Sequence, residues 1–202
     1  MDTVRRAAPP VLDPAEADLL GRARDGNLFA FEEVVRRYQR RVYAVAFRIV
    51  RRHDVADDVT QEAFIRAHQA LRSFDPGRPF GPWICRIAAN LAINHVRSPE
   101  SREDPLPEGH AEWPTPAPGP DTGVLEREGL EVLRRALEAL PAEQRAVFVL
   151  RVHEDLSYRE IAEALGLSMG TVMSRLSRAR EKLRESLAPY LGASLRRAGE
   201  GP

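Results

Sequence analysis

The sequence predicts an all-α protein made of two small helical domains joined by a flexible, proline-rich acidic linker. Three observations predict this fold class. Apolar residues recur at steps of three and four over most of the chain, which is the period of helices buried along one stripe. No segment alternates between polar and apolar residues for long enough to form a strand. Seven prolines between Ser98 and Thr122 break the helical pattern and divide the chain into two parts.

The first predicted domain covers residues 26–97, after an N-terminal extension of residues 1–25, and contains three helices. The inward stripe of the first helix consists of Leu28, Phe31, Val34, Val35, Tyr38, Val42, Val45, Ala46 and Ile49. A second helix is predicted from about Asp54, with Val55, Val59, Ala63, Phe64, Ala67 and Leu71 facing inward. A third begins near Pro82, because proline in a first turn loses no helical hydrogen bond, and ends before Ser98.

Residues 98–124 form the predicted linker. The closely spaced prolines exclude helix interiors there. The segment contains six acidic residues and one arginine, Arg102. Such a segment should be extended, because like charges repel each other and little apolar surface is available for burial.

The second predicted domain covers residues 125–190 and precedes a C-terminal tail of residues 191–202. One amphipathic helix spans Leu125 to Leu140, Pro141 opens the next helix, and two shorter helices follow.

The two shorter helices have clear start and stop signals. Ser157 and Glu160 have the spacing of a capping box, so a helix starts directly after Ser157. Gly166 supplies the left-handed conformation that ends this helix, and Ser168 is placed to cap the next one. The pattern predicts a helix-turn-helix.

The last helix buries one stripe and exposes a polar, basic face. Val172, Leu176, Ala179 and Leu183 face inward, and the residues left outside are Thr171, Ser174, Arg175, Ser177, Arg178 and Lys182. Basic residues outnumber acidic residues between Arg175 and Arg184, although the whole chain has zero formal charge. This is how a recognition helix for the major groove is built. The alternative is an ordinary helical hairpin whose arginines form a solvated face.

Other function classes find little support. No apolar run approaches the roughly 18–20 residues of a membrane span, and residues 1–14 lack the apolar core of a signal peptide, so we expect a cytoplasmic protein. The five histidines show no metal-ligand spacing, and no phosphate-binding glycine loop is present, which argues against an enzyme. The single cysteine, Cys85, has apolar neighbours that favour a core thiol over a redox sensor.

Three segments together resemble the extracytoplasmic-function (ECF) group of the sigma-70 family of bacterial RNA polymerase. They are Asp54-Val-Ala-Asp57-Asp58-Val-Thr-Gln61-Glu62-Ala-Phe64, the helix from Phe80 to Arg97, and the run from Leu140 through Ser157-Tyr158-Arg-Glu160 to Arg180. The resemblance extends from about Gly26 to Pro189. It implies a sigma region 2-like domain and a sigma region 4-like helix-turn-helix domain.

The resemblance also implies sites, partners and no cofactor or metal. Core polymerase would meet the first segment through the clamp helices of its beta-prime subunit and the second domain through its beta flap. An anti-sigma factor is a further implied partner. The residues implied for core binding are Asp57, Asp58, Gln61 and Glu62. Those for the minus-ten promoter element are Arg86, Asn90, Asn94 and Arg97. Those for the minus-thirty-five element are Thr171, Ser174, Arg175, Ser177, Arg178, Arg180 and Lys182.

Roles within these sets follow from chemistry. We assign Arg175, Arg180 and Lys182 mainly to phosphates, and Ser174, Ser177 and Arg178 mainly to base edges. The loop from Phe74 to Pro79 and the start of the third helix would hold an unstacked base of the opened duplex. The sequence departs from the family at Asn94, where aspartate is common, and at Met173, where a basic residue is usual. These departures bear on promoter sequence.

Several alternatives remain open from sequence. Asn90 and Asn94 can equally be exposed polar residues, while Phe80 and Trp83 are favoured as core residues over base-stacking ones. The linker can occupy a basic nucleic-acid channel of polymerase or serve as a tether. A stand-alone helix-turn-helix regulator would explain the second domain, but it would leave the acidic helix and the Trp83 to Arg97 segment unexplained.

Overall fold

The structure, a computed structural model, describes residues 13–75, 78–98 and 124–198, and the side chains of 124–130 and 190–198 are not described. Within these ranges every regular element is helical and none is a strand, which confirms the predicted fold class. The helices are α1 (Pro14–Arg24), α2 (Leu28–Val50), α3 (His53–Ala70), α4 (Phe80–Arg97), α5 (Val124–Glu138), α6 (Ala142–Val152), α7 (Tyr158–Leu165) and α8 (Met169–Ala198), with a 3-10 turn at Leu71–Ser73.

Helix α1 was not predicted, because its sequence lies in the supposed N-terminal extension and its apolar stripe is short. Asp13 caps the helix by accepting a hydrogen bond from the Ala15 amide at 3.0 Å, and Pro14 occupies the first turn. Its buried residues are Leu19, Leu20 and Ala23. The Asp-Pro pair was the signal that could have revealed it.

Helices α2, α3 and α4 pack on one another and form the first core. The stripes predicted for α2 and α3 are largely buried, with Val34, Val42, Val45 and Ile49 fully so in α2. Leu28, at the first position of α2, is 69% exposed, so its predicted inward position is wrong. Helix α4 begins at Phe80, two residues before the predicted start, and Pro82 still lies in its first turn. Phe80 is fully buried, as predicted.

The second half confirms the predicted starts of α6 and α7 and corrects the length of the last helix. Pro141 is the residue before α6, and α7 begins directly after Ser157. Helix α8 is not short: it contains 30 residues and continues through Pro189. A proline removes one helical hydrogen bond and crowds the carbonyl four residues before it, but the leucines, alanines and arginines that follow it favour helix.

The two halves of the chain pack against each other, which the sequence pattern does not address. Helix α2 contacts α6, and α4 contacts both α6 and α7. Buried residues from both halves belong to one continuous hydrophobic cluster, and a smaller cluster lies between α5 and α8. Residues 99–123 of the predicted linker (98–124) lie outside the described residues, so its extended form stays a prediction, while Val124 is already the first residue of α5.

Candidate nucleic-acid and protein interfaces

Helix α3 presents an acidic face to solvent. Asp57, Asp58 and Gln61 are exposed, and Glu62 is partly exposed and accepts a hydrogen bond from Arg66 Nε at 2.7 Å. The helix period places Asp57 and Gln61 opposite the buried stripe of Val55, Val59 and Ala63, and it places Asp58 and Glu62 at the side of that stripe. Ile65 lies beside them with 52% of its surface exposed, and sequence reasoning missed it. We call Asp57, Asp58, Gln61, Glu62 and Ile65 the α3 surface.

Helix α4 carries its four predicted site residues on one stripe, at steps of four, four and three. Asn94 and Arg97 are exposed, while Arg86 and Asn90 are partly buried. We call Arg86, Asn90, Asn94 and Arg97 the α4 surface.

Two members of the α4 surface are bound by the second half of the chain. The Asn90 side-chain amide donates a hydrogen bond to the carbonyl oxygen of Ala164 in α7. Arg97 donates to Glu143 Oε1 of α6 through Nε at 2.9 Å and Nη2 at 2.7 Å. The sequence predicted these side chains for DNA, whereas in this arrangement they have partners within the chain.

A cleft separates α4 from α7 beside the α4 surface. Its lining from the first half is Arg78, Trp83, Arg86, Ile87 and Asn90, and its lining from the second half is Glu163 and Ala164. The centroid of the Trp83 ring lies 4.7 Å from that of Phe74 and 5.3 Å from that of Phe80. Trp83 therefore belongs to the edge of the core and also faces the cleft. Residues 76–77 of the predicted base-holding loop lie outside the described residues.

The start of α7 and the turn between α7 and α8 have the predicted caps. Glu160 N donates to Ser157 Oγ at 3.2 Å, and Ser157 N donates to Glu160 Oε2 at 2.8 Å, which completes the capping box. Gly166 has φ of +60°, and Thr171 N donates to Ser168 Oγ at 3.1 Å. These contacts determine how α7 presents α8, as in a helix-turn-helix.

Most of the predicted recognition residues on α8 point into solvent. Ser174, Ser177, Arg178, Arg180 and Lys182 are exposed, and Thr171 is partly buried.

Arg175 is also largely buried, and the expectation that it lies outside the fold is wrong. Only 16% of its side chain is exposed, and its guanidinium forms an ion pair with Glu143 of α6. Helix α6 packs against α8 at this point, so the long side chain reaches the carboxylate instead of water.

Comparison with known proteins places both halves in one family. The family model of Sigma-70 region 2 matches residues 34–103, and that of Sigma-70 region 4 matches residues 130–183. The ECF RNA polymerase sigma-E factor of Escherichia coli K12 is 36% identical over 86% of this chain and 94% of its own length. The chain belongs to the ECF sigma factors. This sigma factor is also 38% identical to the ECF sigma factor SigE of Mycolicibacterium smegmatis, over 80% of the chain and 63% of that relative.

Solved structures agree with this membership. The sigma factor resembles CnrH in complex with the cytosolic domain of CnrY, with a TM-score of 0.58, 29% identity and coverage of 87% of this chain and 98% of that one. It also resembles the sigma factor RpoE of Bartonella quintana in complex with the anti-sigma factor NepR, with a TM-score of 0.58, 28% identity and coverage of 78% and 96%.

Glu143 is a second residue of this sigma factor that sequence reasoning missed. It lies in the Leu140 to Arg145 segment that carries the family resemblance, but no local signal relates it to Arg97, 46 positions earlier.

In the part of the chain that the structure describes, no helix is long and apolar enough to span a membrane. The same residues contain no cluster of three or more histidine, cysteine or carboxylate side chains that could hold a metal ion.

Proposed function

We propose that this sigma factor binds core RNA polymerase, recognises minus-ten and minus-thirty-five promoter elements, and promotes opening of the DNA through three separate surfaces. The observation that carries the proposal is the pairing of two family matches on one chain, each containing an exposed polar helix of the chemistry its task requires. In domain terms we propose residues 26–97 for core polymerase and the minus-ten element, and residues 125–190 for the minus-thirty-five element.

The α3 surface is the proposed site for core polymerase. Its three exposed polar residues and its half-exposed Glu62 need no rearrangement to meet a basic partner, and Ile65 adds an apolar contact beside them. Interfaces of this kind combine charge complementarity, which steers encounter, with a buried apolar anchor. We assign the clamp helices of the beta-prime subunit to this surface, and the beta flap to the second domain.

The α4 surface is the proposed site for the minus-ten element. Asparagine amides can donate and accept, so Asn90 and Asn94 suit the edges of unpaired bases, while Arg86 and Arg97 suit phosphates. The cleft beside Trp83 has an aromatic wall and two arginines, Arg78 and Arg86, which is the chemistry of a site for an unstacked base.

Helix α8 is the proposed reader of the minus-thirty-five element. Arg178, Ser174 and Ser177 are exposed for base edges, and Arg180 and Lys182 are exposed for phosphates. Thr171 and Arg175 complete the proposed set, although Arg175 would first have to leave Glu143.

The proposal extends to partners and location. Because the resembling structures include complexes with CnrY and NepR, we propose an anti-sigma factor as a partner. A chain that works through polymerase on chromosomal DNA would act in the cytoplasm, as a binding protein and not as an enzyme. The linker at 98–124 remains proposed either for a basic channel of polymerase or as a tether.

Run-off transcription tests the proposal. Core polymerase would be combined with the full chain on fragmented genomic DNA, and the 5′ ends of the transcripts would be sequenced. We expect start sites that depend on the chain and share two upstream motifs, with core polymerase alone as the control. If adding the chain produced no start-site selection, the proposed function would be wrong.

A further inference from the structure

Two large apolar side chains are exposed at the start of α8, the helix that we propose for the minus-thirty-five element. Met169 and Met173 have 50% and 52% of their surface exposed. Neither belongs to the hydrophobic clusters of the described residues or packs against them. Single exposed apolar residues are common on protein surfaces, so the position of this pair, and not its exposure alone, has to indicate a function.

Met173 begins a stripe of side chains along one face of α8. Ser177, Arg180 and Arg184 follow it at steps of four, three and four, which bring successive side chains to the same face of a helix. All four line one groove, together with Tyr158 at the start of α7. The stripe is therefore apolar at its N-terminal end, carries a hydroxyl in the middle and is basic at its C-terminal end.

The charges in this groove suit one strand of duplex DNA. Its lining contains two arginines, Arg180 and Arg184, and one acidic residue, Glu181, and all three are exposed. In a helix-turn-helix the N-terminal residues of the recognition helix contact base edges, and cations elsewhere on the domain contact phosphates. This order of residues puts Met173 at the level of the bases and the two arginines at the level of the backbone.

A methionine side chain can read only one feature of a base pair in the major groove. Its thioether has no hydrogen-bond donor and is a weak acceptor, so Met173 is unsuited to the polar edges of guanine, adenine and cytosine. Thymine presents a 5-methyl group in the same groove, and apolar side chains contact that group. The flexible thioether can also adjust to a methyl group whose position is set by neighbouring contacts.

We propose that Met173 is a specificity-determining residue: it packs on the 5-methyl group of one thymine in the minus-thirty-five element, beside the base that Ser177 contacts. The inference rests on the proposed function of α8 as the reader of that element. Removing one methyl group from water strengthens binding by about three- to fivefold. The contact therefore favours an A·T pair at one position of the element.

Removal of single methyl groups from a promoter tests the contact. A start site mapped by run-off transcription supplies the duplex, and each thymine of its upstream motif, on either strand, is replaced in turn by deoxyuridine. The holoenzyme with the parent chain should bind one of these duplexes about three- to fivefold more weakly than the unmodified duplex. The same replacement should have no effect with Met173→Ala, and its effect should remain with Met173→Leu, which keeps an apolar side chain.

Val152→Ala is the matched control, because Val152 of α6 is 53% exposed against 52% for Met173 and does not line the groove. Its holoenzyme should keep the methyl dependence of the parent. The proposal would be overturned if no thymine methyl group affected binding of the parent, or if the effect persisted in Met173→Ala. Normal start-site selection without a methyl effect would overturn this inference alone, whereas failure of the parent to select start sites would overturn the proposed function as well.

Discussion

Arg145 Nη2 of α6 donates a hydrogen bond to the carbonyl oxygen of Ile49 in α2 over 2.5 Å, across 96 positions of sequence. The same guanidinium donates from Nη1 to the carbonyls of Leu140 at 3.0 Å and Glu138 at 3.2 Å. Burial, and to a smaller extent the charge of Arg51, lower the pKa of Arg145 to about 10 against the opposing effect of Glu138. The group is still a cation at neutral pH, and it binds carbonyls at the ends of α2 and α5 that have no helical partner.

Replacing Arg145 with methionine should therefore destabilise the protein. The variant keeps apolar volume but leaves carbonyls of both halves without their donor, and hydrogen bonds to charged groups contribute roughly 1.5–3 kcal/mol each. Urea denaturation would measure the loss in the free energy of unfolding. Arg135→Met, at an exposed position of α5, should change it by less than about 0.5 kcal/mol. Equal midpoints for the two variants would contradict the role of Arg145.

Cys85 should be chemically silent in the folded protein. Burial raises the pKa of its thiol far above the ordinary range, and the negative charge of Glu154 raises it further. Thiolate is the reactive form, so a disulfide reagent such as DTNB should react only as fast as the chain unfolds. An Arg36→Cys variant supplies an exposed thiol as the control and should react at once. Rapid native reaction of Cys85 itself would revive the redox-sensor interpretation.

Asp58→Arg should abolish binding to core polymerase without unfolding the chain. The change inverts a charge on the exposed α3 surface, and like charges placed at an interface oppose association. Co-purification with tagged core polymerase would measure it. Asp18→Arg, a charge reversal at another exposed position, in α1, should still co-purify. Recovery of both variants with polymerase would remove the α3 surface from the proposed interface.

Arg178→Ala should weaken recognition of the minus-thirty-five element and leave core binding unchanged. An arginine that reads guanine contributes about 1–3 kcal/mol of discrimination. Footprints of the holoenzyme, with parent and variant compared on one promoter, should lose protection at the upstream element first. Arg135→Ala removes another exposed arginine, from α5, and should leave the footprint intact. Identical footprints for the Arg178 variant and the parent would count against the assignment.

Ser157→Ala should lower the melting temperature by loosening the start of α7. The substitution deletes the serine oxygen of the capping box, which typically costs about 1 kcal/mol. For a chain of this size that corresponds to about 2–4 °C. Ser186→Ala, in the middle of α8, removes only a hydrogen bond to the Lys182 carbonyl and should cost nothing, since alanine is the better helix former. The melting temperatures of both variants, measured by calorimetry, would separate the loss of the cap from the general effect of replacing serine with alanine.

Local signals in the sequence were enough to determine most of the secondary structure. The period of apolar residues predicts α2, α3 and α4, and Ser157, Glu160 and Gly166 define α7 because caps act through neighbouring backbone groups. The exposure of Asp58 and Arg178 follows from the same period. Helix α1 was not predicted because its apolar stripe is short. Helix α8 was predicted too short because one proline does not end a helix whose other residues are good helix formers.

Only the tertiary structure decided which surfaces are free. In the sequence, nothing distinguishes Arg97 and Arg175 from any exposed arginine. Both nevertheless contact Glu143, because the packing of α6 against α4 and α8 brings the three side chains together. Asn90 likewise meets Ala164, and Arg145 meets Ile49, across separations of 74 and 96 positions. Periodicity and capping depend on residues within about one helical turn, and they carry no information on how two distant helical units pack.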